Sequence, residues 1–196
     1  MIKVEFDFSQ IKEVSLALGA AEDQIPFAIA TALNRAADVT RNFLVRATWP
    51  QHVHARNASF MNASLTTRGA RADKRSAAVE IYDKLDRGNL QMQAKGGTRQ
   101  ARGNAMAIPA SNVPRGSHGV PGRLRPKVLG ARAFRKGDAL YVKDKKGRMR
   151  LLYVLKSATP IPRRVPFYED FANSMRRELM VALPIAIQRA MSTRRR

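Results

Sequence analysis

The chain has 196 residues, of which 44% are hydrophobic, and its 36 Lys and Arg against 15 Asp and Glu give a formal net charge of +21. That length and hydrophobic content suffice for one folded domain, and no apolar run approaches the roughly 20 residues of a membrane-spanning helix. The absence of cysteine excludes disulfides, thiolate nucleophiles and thiolate-bound zinc or iron–sulfur sites.

Both strands and helices are predicted in the first half of the chain. Apolar and charged residues alternate over residues 2–8, which predicts a short strand, and a brief helix follows over 9–18. Three- and four-residue apolar spacing predicts a long amphipathic helix over 26–48 that stops before Trp49–Pro50. The β-branched and aromatic residues of 64–68 and 77–83 predict an antiparallel pair of strands.

The second half begins with a stretch rich in glycine and proline, residues 95–138, for which we predict little regular structure. Strands at 139–143 and 149–155 follow, joined by a tight turn with the sequence Asp-Lys-Lys-Gly. A last helix is predicted over 166–192, because apolar residues recur every fourth position from Phe167 to Met191. Pro184 lies inside this helix and is expected to kink it near Val181.

These elements predict the α+β class, with a small, mostly antiparallel sheet packed against two long helices. We expect residues 1–196 to form a single domain, with a long basic Gly/Pro-rich arm inserted at about 95–138.

The positive charge is concentrated in one part of the chain. Residues 95–165 carry 18 Lys or Arg and only two acidic residues, Asp138 and Asp144. Cations at this density repel one another and raise the free energy of a compact monomer, so an acidic partner is expected against them. The residues expected to contact a protein partner or DNA are Lys95, Arg99, Arg102, Arg115, Arg123, Arg125, Lys127, Arg132, Arg163 and Arg164.

Signatures of catalysis are not found in the sequence. His52 and His54 are two residues apart, but no third His and no carboxylate lies within a few residues to complete a metal site. The nucleophile elbow, the phosphate-binding loop and the dinucleotide fingerprint are missing as well. We therefore expect a protein that is not an enzyme, with no catalytic residues, no metal and no cofactor.

Three stretches carry a resemblance to a known family. They are IPFAIATALNR at 25–35, AKGGTR at 94–99, and the run LYVL at 152–155 that leads to IPRRVPFY at 161–168. In this order they resemble the minor tail protein Z, or tail completion, proteins of long-tailed bacteriophages. A looser resemblance extends to the broader head–tail joining group.

The resemblance implies a structural virion protein that forms a ring, with six subunits the expected number, at the head-proximal end of the tail. Its partners would be copies of itself, other tail or connector proteins and packaged DNA, with no membrane. It would be made in the host cytoplasm and located in the tail or neck of the virion. Two alternatives remain open: a nucleic-acid-binding accessory protein without sequence preference, and a head-closure connector protein.

Overall fold

A computed structural model describes residues 24–86, 90–144 and 146–192. The strand predicted at 2–8 and the helix predicted at 9–18 lie outside the described residues. The chain divides into two compact units. Unit 1 contains the described residues up to His54, those of 59–94, and 164–192, whereas unit 2 contains 55–58 and 95–163.

Unit 1 is built on a long N-terminal helical segment. Helix α1 (Gln24–Phe43) continues through a π-helical turn (Leu44–Thr48) into α2 (Trp49–His52). The prediction that Trp49–Pro50 stops this helix is therefore wrong. The backbone N–H of Trp49 bonds to the carbonyl of Leu44, five residues back, and Pro50 falls in the first turn of α2. Pro50 is tolerated because it follows the π-helical turn, where the regular i→i−4 hydrogen bonding of the helix is already interrupted.

The C-terminal helix α6 (Phe167–Ser192) packs along α1 and completes the core of unit 1. The predicted four-residue stripe is buried from Phe167 as far as Leu183, but Met191 is 42% exposed. Two polar pairs cross the helix interface. The hydroxyls of Thr40 and Ser174 lie 3.0 Å apart, and Thr48 Oγ1 donates to Asp170 Oδ2 at 2.5 Å.

Short elements fill the rest of unit 1. Helix α3 (Phe60–Ser64) leads into strand β1 (Leu65–Thr66), which pairs antiparallel with β2 (Tyr82–Asp83), and α4 (Leu90–Lys95) follows. The predicted antiparallel pairing of these strands is confirmed, although each strand has only two residues.

Unit 2 consists mainly of antiparallel strands. They are β3 (Gly97–Gln100), β4 (Met106–Pro109), β5 (Ala133–Lys136), β6 (Ala139–Lys143), β7 (Met149–Lys156) and β8 (Ala158–Ile161). Four of them form a sheet in the order β4-β7-β6-β5, and β3 pairs with β8 as a separate two-stranded ribbon. Helix α5 (Pro126–Leu129) lies between β4 and β5 and is flanked by two 3-10 turns.

The α+β class is confirmed, and the strands of the described residues form three separate sheets. The prediction that residues 95–138 have little regular structure is wrong, because this stretch contains β3, β4, α5 and β5. It folds with the predicted 139–155 hairpin around its own small core of Val113, Leu129, Leu152 and Tyr153. Most of its glycines and prolines lie outside its strands and α5, but Gly97 and Pro109 are strand residues and Pro126 begins α5.

Candidate interaction surfaces

Arginine side chains brace the long connection between β4 and β5. Arg115 Nη2 donates to the carbonyl of Pro109 at 2.6 Å, and Arg150 Nη2 donates to that of Asn112 at 2.8 Å. Arg125 Nε donates to the carbonyl of Val120 at 3.1 Å. The carbonyls of Asn112 and Val120 lie outside any strand or helix and need such donors, and the bond to Pro109 ties the connection to the end of β4.

Tyr153 fixes the same connection from the core side. Its hydroxyl donates to the carbonyl of Leu124 at 2.7 Å. Burial raises the pKa of the Tyr153 phenol, and the positive charges of Arg125 and Arg115 oppose that shift. The direction of the shift shows that desolvation outweighs the nearby cations at this position.

Both acidic residues of unit 2 are engaged by residues close to them in the chain. Asp144 Oδ2 accepts from Arg148 Nε at 2.9 Å, and Asp138 lies 3.6 Å from Arg135. The backbone N–H of Arg148 is the main cause of a lowered pKa at Asp144. No further Asp or Glu occurs between 95 and 163. The remaining cations of unit 2 therefore have no carboxylate of the same unit left to neutralise them.

The ten basic residues predicted to contact a partner are all exposed. Nine of them belong to unit 2, whereas Arg164 belongs to unit 1, where its backbone N–H bonds to the carbonyl of Gln93. The structure brings Arg123 and Arg132 together on one groove. Arg115 and Arg125 instead donate to backbone carbonyls, and the sequence alone does not distinguish them from arginines that make no such bond.

The groove of unit 2 has a volume of about 840 Å³ and combines cations with apolar side chains. Lys143 joins Arg123 and Arg132 along it, and Met149, 53% exposed, lies opposite Lys143 in the β6–β7 ladder. Sequence reasoning missed Lys143 and Met149. The predicted hairpin could have indicated them, because residues that flank its turn face each other.

A second cavity, in unit 1, was not expected from the sequence. It measures about 510 Å³, and its walls include Leu65, Ile81, Leu90 and Phe167. The acidic residues that line it are Glu80, Asp83 and Asp86. We refer to it below as the acidic pocket.

The histidines show no metal-binding geometry. His52 Nδ1 lies 2.8 Å from the carbonyl of Thr48, and among the described residues no three His, Cys, Asp or Glu side chains are grouped as metal ligands. Over the same ranges, none of the helices has the length and apolar character needed to cross a bilayer. No known protein family, curated protein or solved structure matches this chain.

Proposed function

We propose that this chain is a structural subunit of a long-tailed bacteriophage particle, located at the head-proximal end of the tail, where it completes the tail or joins it to the head. The observation that carries the proposal is the charge of unit 2, whose two acids are already paired with neighbouring arginines. A folded unit with so large an unneutralised surplus gains free energy when acidic surfaces lie against it. The resemblance of the sequence to tail completion proteins supports this placement.

A ring of such subunits would bring their cationic units together in one collar. The repulsion within that collar is relieved by acidic neighbouring rings or by the DNA that runs through the channel. In this proposal the protein acts by contact alone, and the cations of the groove contribute to that contact. It would be a component of the tail or neck of the virion after synthesis in the host cytoplasm.

The test removes residues 97–161, which make up most of unit 2, and leaves unit 1 intact. Gly97 and Ile161 are directly paired in the β3–β8 ribbon, so a short Gly-Ser linker can replace residues 97–161. We expect the shortened chain to fold, with the fluorescence of Trp49 in unit 1 unchanged, and electron microscopy to show unjoined heads and tails. The control is Arg71→Ala, which removes an exposed ion pair with Asp38 in unit 1 and should leave joining intact. Infectious particles assembled with the shortened chain would overturn the proposal.

The same surplus of cations favours a second function, sequence-independent binding of nucleic acid. Fluorescence anisotropy with a duplex of random sequence, titrated from about 0.05 to 0.2 M salt, tests it directly. A nucleic-acid-binding protein that neutralises ~6–10 phosphates loses about 10³–10⁵ in affinity over that range. Tight binding that persists at about 0.15 M salt, together with joining that does not need unit 2, would favour this alternative.

A head-closure connector would share the charge and the two units. Imaging of the particle that contains the chain, at a resolution that resolves its symmetry, separates this placement from the tail end. The number of subunits in the ring follows from the same reconstruction.

A further inference from the structure

The acidic pocket of unit 1 is open and has apolar walls. Ile81 and Leu90 are buried where they line it, and Tyr82 and Tyr168 are half-buried. An apolar concavity of this size favours an occupant that brings an apolar side chain to it, because contact removes the walls from water.

The carboxylates of the pocket determine the charge of that occupant. Glu80, Asp83 and Asp86 form no ion pair with any residue in the described ranges. Lys84, which lies between them in sequence, lines the neighbouring groove of Asp38 and Arg71 instead. Charge complementarity therefore calls for a cationic segment with an exposed apolar residue at its centre.

Unit 2 carries such a segment, residues 123–132, which we call the basic knob. Val128 at its centre is 54% exposed, and its neighbour Leu129 is buried in the core of unit 2. Arg123, Lys127 and Arg132 are exposed on the same short segment. The bond from Arg125 to the carbonyl of Val120 fixes the start of the knob, so Val128 is presented on a rigid support.

We propose that the acidic pocket of one copy of this chain binds the basic knob of a second copy. Val128 enters the apolar pocket, and Arg123 and Lys127 lie against Glu80 and Asp86. The central apolar contact removes surface from water, and the complementary charges around it fix the orientation of the two copies. The pocket and the knob are different surfaces, so the contact is heterologous, and it leaves the knob of the first copy and the pocket of the second free to bind further copies. Such heterologous contacts generate a ring where the rotation between successive copies closes. This ring-forming step rests on the proposed function.

The experiment exchanges charges between the two surfaces of the full chain. One variant carries Glu80→Lys and Asp86→Lys, and the other carries Arg123→Glu and Lys127→Glu. Asp83 is left unchanged, since it accepts backbone N–H groups of its own turn. Sedimentation velocity at about 0.15 M salt measures association of the wild-type chain, of each variant and of their equimolar mixture.

We expect the wild-type chain to self-associate and each variant alone to associate at least about tenfold more weakly. The mixture should recover a complex of the two variants, because the reversed knob then meets the reversed pocket. Val128→Asp should weaken self-association to a similar degree without altering the fold, since Val128 is exposed. A monomeric wild-type chain, unweakened variants or a mixture that does not recover would each overturn the proposal.

Two controls separate this contact from general electrostatics. Arg99→Glu with Arg102→Glu changes the charge of unit 2 equally but lies outside the knob, so it should retain self-association and should not rescue the pocket variant. Circular dichroism and Trp49 fluorescence establish that each variant is folded. The readout uses purified protein, so its failure is distinguishable from failure of the head–tail joining assay.

Discussion

Thr48→Val tests whether the hydrogen bond between the π-helical turn and α6 stabilises unit 1. Thr48 is fully buried, and its Oγ1 donates to the half-buried carboxylate of Asp170 at 2.5 Å. Valine keeps nearly the same shape but removes the donor. A hydrogen bond to a charged group contributes about 1.5–3 kcal/mol, so we expect the free energy of unfolding of unit 1 to fall by about 2 kcal/mol.

The assay is urea unfolding followed by tryptophan fluorescence. Trp49 is the single tryptophan of the chain and stacks on Phe167 with 6.0 Å between ring centroids, so its signal reports on unit 1. With a urea dependence of about 2 kcal/mol per molar, the midpoint should fall by about 1 M. A double-mutant cycle with Asp170→Ala isolates the bond, since Asp170 also lies in the first turn of α6. If the costs of the two single substitutions simply add, the reasoning is refuted.

The further predictions concern three residues of unit 2. Tyr153→Phe removes the donor to the carbonyl of Leu124 and should cost about 0.5–1.5 kcal/mol, measured as faster hydrogen exchange in β7. Because the pKa of Tyr153 is raised in the folded state, its protonated form stabilises unit 2 below about pH 10, and that contribution should disappear as the pH rises through the folded-state pKa. The pKa of Asp144 is lowered instead, so its ionised carboxylate stabilises unit 2 above the ordinary aspartate pKa of 3.8, and this stabilisation is lost as the pH falls through the folded-state pKa. Asp144→Ala should therefore speed hydrogen exchange of the turn amides at neutral pH. Gly96→Ala should destabilise the β3–β8 ribbon by about 1 kcal/mol or more, because Gly96 has a φ of +76° and an added Cβ would lie 3.3 Å from the backbone nitrogen of Arg163. The readout is faster proteolysis of the ribbon.

Helix α6 and the β6–β7 hairpin could be predicted because their signals lie in neighbouring residues of the sequence. The four-residue stripe that begins at Phe167 specified α6, which continues past Pro184 to Ser192. The alternation and turn residues of 139–155 specified β6 and β7, and Gly147 takes the left-handed conformation that the turn requires, with a φ of +76°. In both cases the sequence information lies within one element or one hairpin.

The remaining elements depend on partners far along the chain. Strand β4 pairs with β7, with Pro109 opposite Tyr153, and β3 pairs with β8, with Gly97 opposite Ile161. A stretch with glycine and proline at its turns gives no periodic signal for such pairing, which is why 95–138 was predicted as irregular. The predicted end of the long helix, before Trp49, is too early for a related reason. The π-helical turn that accommodates Pro50 has no sequence signature of its own.

For the interaction surfaces, the composition of the sequence located the cationic unit but could not distinguish the roles of its individual arginines. Arg115 and Arg125 look the same in sequence as Arg123 and Arg132, yet the first pair braces backbone carbonyls and the second lines a groove. The acidic pocket depends on residues from β2, α4 and α6, whose convergence no local pattern reports.

The β3–β8 ribbon has a mechanical consequence. The chain enters residues 97–161 through β3 and leaves through β8, and the two strands are paired from their shared end. A force directed along the ribbon is therefore carried by two covalent backbones in parallel, and it does not shear the hydrogen bonds between them. Extended strands have almost no slack, so the ribbon resists stretching along its axis.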